Sequence, residues 1–448
     1  MTFHRFILCI LILFVISPAA DGSEYTVVVS QKTHKKPAWK KVVNALVSKH
    51  DAQLIVFDNQ VASTLEPLTQ QFPKYTCFVA TPEETTTELV AAVHQLTRQL
   101  DADPYTDTQW GILTGFNAAN ALAIAEHREP LTIHKVASGT EIALQCCSEG
   151  LWYDELVKNK LVQKKRGGTA QQLKGPDDTT SALAQTLNDY QADLFVTSGH
   201  ATQGDWMIGF RYRNGFFRSK AGQMFGVDTN QTRIDISSNN PKVYLPIGNC
   251  LMGNINGPDA MALAWMNDVG VKQMIGYTVP TWYGYQGWGV LDYFIEQPGR
   301  YTMNQAFFAN HHALIHRLGD STTNANDQRG LAFDRDVVAF YGDPAWSAKM
   351  ADGQRSYEQT LTLRKGGATF TITPNLGEAS FDTVNNNGSQ RGGRPFVAFL
   401  DQRISNIKVT SGQQWNPVIM DNFILVPRPP KCDPTKKYQV AFEFDTIQ

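Results

Sequence analysis

Short apolar runs rich in β-branched residues alternate with stretches of helical spacing along the first three quarters of the chain. Tyr25-Thr-Val-Val-Val-Ser30 and Ala52-Gln-Leu-Ile-Val-Phe57 have the length and composition of buried strands. Between them Trp39, Val42, Val43, Leu46 and Val47 recur on one face of a helix over 38–49. Strand, helix and strand joined by short connections predict a parallel sheet. The pattern repeats with a strand over 77–80, a helix over 83–100, a strand over 109–114 and a helix over 118–126. Residues 23–150 are therefore expected to form a first α/β unit.

A basic, glycine-containing stretch over 158–175, with Lys164-Lys165-Arg166-Gly167-Gly168 at its centre, reads as a solvated loop. Beyond it the spacing predicts helices over 179–189, 258–266, 288–296 and 303–318, and strands over 192–198, 242–247, 271–279 and 336–341. Pro258 is tolerated in the first turn of its helix. These elements assign 151–352 to a second α/β unit, and the two units together to one body. After Trp346 helical spacing stops. Strands over 360–364, 368–373, 396–400, 423–426 and 438–444, separated by Gly, Asn and Pro turns, predict an antiparallel sandwich in 353–448. No internal repeat with a period of 20–50 residues is visible.

The N-terminus has a different pattern. His4 and Arg5 precede an apolar run over 6–16, followed by Ser17-Pro18-Ala19-Ala20. About eleven apolar residues fall short of the ~20 that a membrane span needs. Residues 1–22 therefore read as a cleaved export signal, which implies a secreted or periplasmic protein with no membrane span after cleavage. Cys9 would leave with the signal, and Cys77, Cys146, Cys147, Cys250 and Cys432 would remain. An odd number of cysteines in an exported chain leaves at least one thiol unpaired.

Composition narrows the function further. The 448 residues carry 40 basic and 42 acidic side chains, a formal charge of −2, which offers no basic field for nucleic acid. Two segments have one design, an apolar strand running into a glycine turn that presents a reactive side chain. They are Leu194-Phe-Val-Thr-Ser-Gly199-His200 and Val243-Tyr-Leu-Pro-Ile-Gly248-Asn249-Cys250. Carboxyl ends of parallel strands are where α/β sheets hold their ligands. An imidazole and a thiol at two such ends make a candidate general base and nucleophile.

These residues, followed by Gly270-Val-Lys-Gln-Met-Ile-Gly-Tyr-Thr-Val-Pro-Thr-Trp-Tyr-Gly284 and Phe340-Tyr-Gly-Asp-Pro-Ala345, resemble the gingipain-type cysteine peptidases, secreted relatives of the caspase-like fold. The resemblance implies two caspase-like, parallel-sheet subdomains in three layers and a C-terminal immunoglobulin-like β-sandwich. It implies a cysteine endopeptidase acting on protein or peptide substrates, with Cys250 as nucleophile, His200 as general base, and the N–H groups of Ala201 and Cys250 holding the oxyanion. Caspase-like enzymes have Gly where this chain has Ala201. The family's preference for Arg or Lys before the cleaved bond calls for a carboxylate, for which Asp154 is a candidate; Asp154 and Glu155 are also candidates for orienting His200, and Trp282 for walling the pocket. No cofactor is required, a structural calcium ion is allowed, and the oligomeric state is open.

Two other readings use the same residues. One is a weakly active or inactive peptidase-like protein acting in binding or adhesion, for which Ala201 is the argument. The other is a hydrolase of a non-peptide ester or amide. His311, His312 and His316 have an i, i+4 pair but lack the Glu of a His-Glu-x-x-His site, so no metal is assigned to them. Asn230-Gln-Thr and Asn387-Gly-Ser are glycosylation sequons. Cys146 and Cys147 read as structural, with Cys77 as a conceivable disulfide partner.

Overall fold

Twelve strands form one continuous, mostly parallel sheet at the centre of the computed structural model, which describes residues 24–446. The expected signal over 1–22 and Cys9 lie outside the described residues. In spatial order the strands are Gln53–Phe57, Tyr25–Ser30, Tyr75–Val79, Gln109–Leu113, Val338–Tyr341, Val271–Tyr277, Lys242–Pro246, Leu194–Thr197, Lys135–Ser138, Glu149–Tyr153, Lys160–Lys164 and Gln171–Lys174. The first four run parallel in register, with Val27 opposite Leu54 and Cys77, and Cys77 opposite Gly111. Val338–Tyr341 returns from far along the chain, parallel to Gln109–Leu113 and antiparallel to Val271–Tyr277. That antiparallel junction reverses the sheet's direction midway, and two further antiparallel pairs close the far edge at Lys160–Lys164 and Gln171–Lys174. The five strands from Val271–Tyr277 to Glu149–Tyr153 are parallel to one another, so their carboxyl ends share one edge.

The sheet unites the two expected α/β units. The division at residue 150 falls inside the Glu149–Tyr153 strand, and Lys135–Ser138 before it pairs with Leu194–Thr197 beyond it. The stretch over 158–175, expected as a loop, is a hairpin in which Leu161 faces Leu173 and the glycines make the turn. Its strands lie at the sheet's edge and are half or fully exposed, so no apolar run announces them. The helix expected over 83–100 is shorter, Thr87–Leu96, because the Thr86 side chain caps its first turn. Pro258 stands outside its helix, which runs Met261–Asp268.

Helices Pro37–His50 and Ala118–Ala125 pack on each other and on the first half of the sheet. Met303–Gly319 begins in a capping box between Thr302 and Gln305, and packs against the Gln109–Leu113 strand on one side and the Phe396–Phe399 strand on the other. The residues between His200 and Cys250 hold an antiparallel meander of Asp205–Met207, Phe216–Lys220, Gln223–Val227 and Arg233–Ile236, which sequence periodicity does not mark. It packs on helices Thr180–Asn188 and Met261–Asp268.

The C-terminal region consists of two antiparallel sheets, one of four strands and one of three. Phe370, Ile372, Val440 and Phe442 of the first share a core with Phe396, Ile424 and Val426 of the second. Two arginine clusters join this region to the α/β body. Buried Arg391 pairs with Asp292 at 2.7 Å and with Glu296, while Arg394 donates to Asn310 at 2.9 Å. Arg403 pairs with Asp421 and donates to the carbonyls of Phe72 and Pro73 at 3.2 Å.

No helix of the described residues is long and apolar enough to cross a membrane.

Candidate active site

Each of the five parallel strands delivers a site residue at its carboxyl end. Lys135–Ser138 leads to Thr140, Glu149–Tyr153 to Asp154 and Glu155, Leu194–Thr197 to His200, Lys242–Pro246 to Cys250, and Val271–Tyr277 to Thr281 and Trp282. His200 and Cys250 follow adjacent strands paired from Leu194 opposite Val243 to Thr197 opposite Pro246. Their loops are also joined directly. Buried Asn249 donates from Nδ2 to the Gly199 carbonyl at 3.0 Å, and its Oδ1 accepts from the Thr197 hydroxyl at 2.6 Å. The residue before the thiol is thus bound to the residue before the imidazole.

The glycines have local causes. Gly199 has φ +90°, and a Cβ there would sit 3.2 Å from Glu155 Oε2. A Cβ on Gly248 would lie 2.8 Å from Trp288 Nε1, so the Cys250 loop lies against that indole only because Gly248 has no side chain. Leu251, just after Cys250, has φ +58°, a left-handed conformation rare for leucine. Ala201 is not among the residues with positive φ, so this position does not need the glycine of caspase-like enzymes.

Cys250 is half-buried. The Thr281 N–H donates to its Sγ at 3.2 Å, and the thiol faces the Thr281 carbonyl at 3.7 Å. The other four described cysteines are buried, and burial pushes their thiols up, Cys146 to about 12. All five are free, so the odd count does not single out Cys250; its exposure does. The Cys77 partnership also fails. Six inter-strand steps, about 29 Å, separate its strand from the one preceding Cys146 and Cys147.

The His200 imidazole is exposed, makes no hydrogen bond among the described residues, and stacks on Phe210 with ring centroids 4.7 Å apart. The N–H groups of Ala201 and Cys250 find no acceptor among the described residues. Ala201 faces Trp206 in a bridge whose hydrogen bonds are made by its neighbours, Thr202 N–H to the Asp205 carbonyl and Met207 N–H to the His200 carbonyl. Neither amide is therefore committed to a hydrogen bond among the described residues.

Glu155 is buried behind the His200 loop. Its carboxylate accepts from Ser198 Oγ at 2.5 Å and Thr140 Oγ1 at 2.7 Å, and burial raises its affinity for a proton against the pull of those bonds. Asp154, expected as a substrate contact, is already occupied. It accepts from the N–H groups of Leu156 and Val157 at 2.7 and 3.0 Å and pairs with Lys160 at 2.8 Å. Trp282 is exposed beside the Cys250 loop, with its ring against Tyr283 and Phe333 and under Arg329.

His311 and His312 are buried core rings; His312 stacks on Phe423, and burial lowers it to about 3. The sequon at Asn387 is used internally, its amide donating to Thr140 Oγ1 at 2.9 Å and the Glu141 carbonyl at 3.2 Å. Asn249, Thr281, Thr140 and Phe210 went unmarked in the sequence, because each acts through a partner distant along the chain. Compared with protein-family models, with curated proteins and with solved structures, the chain matches none of them.

Proposed function

We propose that the chain is an exported cysteine endopeptidase of gingipain type, with caspase-like parallel-sheet halves and an immunoglobulin-like C-terminal sandwich. The observation that carries this reading is the direct link between two strand-end loops, one bearing His200 and the other Cys250, with the Ala201 and Cys250 amides left open beside them. The Cys250 thiolate attacks the peptide carbonyl, forming an S–C bond, and the two amides hold the oxyanion. The C–N bond then breaks, and His200 passes the proton taken from the thiol to the leaving amine. Water, activated by the same imidazole, hydrolyses the thioester.

The rival reading, a binding or adhesion protein without turnover, loses its main argument because Ala201 has no need of positive φ. A basic residue before the cleaved bond finds no support in Asp154, whose charge is paired. Fluorogenic peptides varied at that residue, assayed in reductant, test the proposal. Wild type is expected to cleave a subset, Cys250→Ala none, and His200→Ala with kcat/KM lower by about 10²–10⁴. Undiminished cleavage by Cys250→Ala would refute it.

A further inference from the structure

Phenylalanine, tyrosine and tryptophan make up 11% of the sequence, yet among the described residues only two aromatic side chains are exposed, Phe210 at 45% and Trp282 at 49%. Both flank the dyad, Trp282 beside the Cys250 loop and Phe210 against the His200 ring. Isolated exposed apolar residues need no explanation, but two rings that each adjoin one of two linked strand-end loops do.

Phe210 is also held in place. The Glu155 carbonyl accepts from the N–H groups of Phe210 at 2.6 Å and Arg211 at 3.1 Å, and the Tyr212 hydroxyl donates to the Asp154 carbonyl at 2.6 Å. Ile208 N–H donates to the Gly215 carbonyl at 3.0 Å, and Gly209, with φ +81°, makes the turn. A ring kept in solvent by a braced turn is preorganised for contact with something outside the chain.

The proposed reaction says what that is. His200 delivers the proton to the leaving nitrogen, so the residue on the leaving side of the scissile bond lies next to the imidazole. That is where the Phe210 ring stands. We propose that Phe210 is the platform for the side chain immediately after the cleaved bond, and that the enzyme favours a large apolar or aromatic residue there. A basic residue is disfavoured, because exposed Arg211 and Arg213 follow on the same turn.

The inference rests on the Cys250–His200 reading, and the test separates the two. Internally quenched peptides identical except for Phe, Leu, Gly or Lys after the scissile bond are cleaved by wild type, Phe210→Ala, Phe210→Leu and Phe210→Trp. Wild type is expected to prefer Phe or Leu over Gly by about tenfold in kcat/KM. Phe210→Ala brings that ratio to within about twofold, Phe210→Leu leaves it intermediate and Phe210→Trp retains it. Phe210→Leu serves as the readout if the alanine variant folds poorly. A ring that merely orients His200 would lower every peptide equally and leave the ratio unchanged, which overturns the platform alone. No cleavage of any peptide, together with no alkylation of Cys250, overturns the dyad and the platform with it.

Discussion

Gly199 bears the strictest demand of any single residue in the site. It holds φ +90° one position before His200, with the Glu155 carboxylate behind it. Gly199→Ala is therefore expected to cost about 1–3 kcal/mol of stability, read by denaturant unfolding, because alanine pays for left-handed backbone. A cost under about 0.3 kcal/mol would show that the loop is not held in that conformation. The strand-end positions of Gly199, His200 and Cys250 were legible in the sequence because an apolar strand ending in glycine is a local pattern. Phe210 and Thr281 were not, since an exposed ring or an N–H aimed at sulfur depends on contacts across the fold.

Two loops on adjacent strands form the site only if they keep their relative position, and Asn249 fixes it. Its buried amide bridges Thr197 and Gly199, the strand end and the turn that precede His200. Asn249→Ala leaves the Gly199 carbonyl without its donor, at about 1–3 kcal/mol of stability. It also lets the loops drift, so kcat/KM is expected to fall by about 10². Stability lost with activity unchanged would mean that the staple does not set the catalytic geometry. Among the elements, parallel strands and amphipathic helices were read from periodicity, with bounds good to a few residues. The meander over 205–236 and the hairpin at the sheet edge escaped because their strands alternate weakly or lie exposed, where burial writes no apolar pattern.

Across the whole molecule, the sandwich docks through charged contacts that make stability depend on pH. Asp101, Asp103 and Asp421 cluster where the loop after helix Thr87–Leu96 meets the C-terminal region. Burial, with the Asp101 and Asp103 carboxylates adding to it, pushes nearby Asp107 up to about 9. The folded chain then keeps a proton that the unfolded chain releases near pH 4, so this group's stabilisation is present in acid and is lost as pH rises toward 9. Asp107→Asn, which has no proton to lose, should flatten the fall in Tm between pH 5 and 9; an unchanged slope would remove Asp107 as its cause. That junction was not legible in the sequence, nor was the return of Val338–Tyr341 to the middle of the sheet, because both join residues hundreds of positions apart or strands with equivalent apolar patterns. The native, reduced chain is treated with a peptidyl chloromethyl ketone, and the adduct is mapped by mass spectrometry across Cys77, Cys146, Cys147, Cys250 and Cys432. An adduct on Cys250 alone is expected, formed much more slowly in His200→Ala. Labelling spread over the other cysteines, or none on Cys250 where iodoacetamide alkylates it, would contradict it.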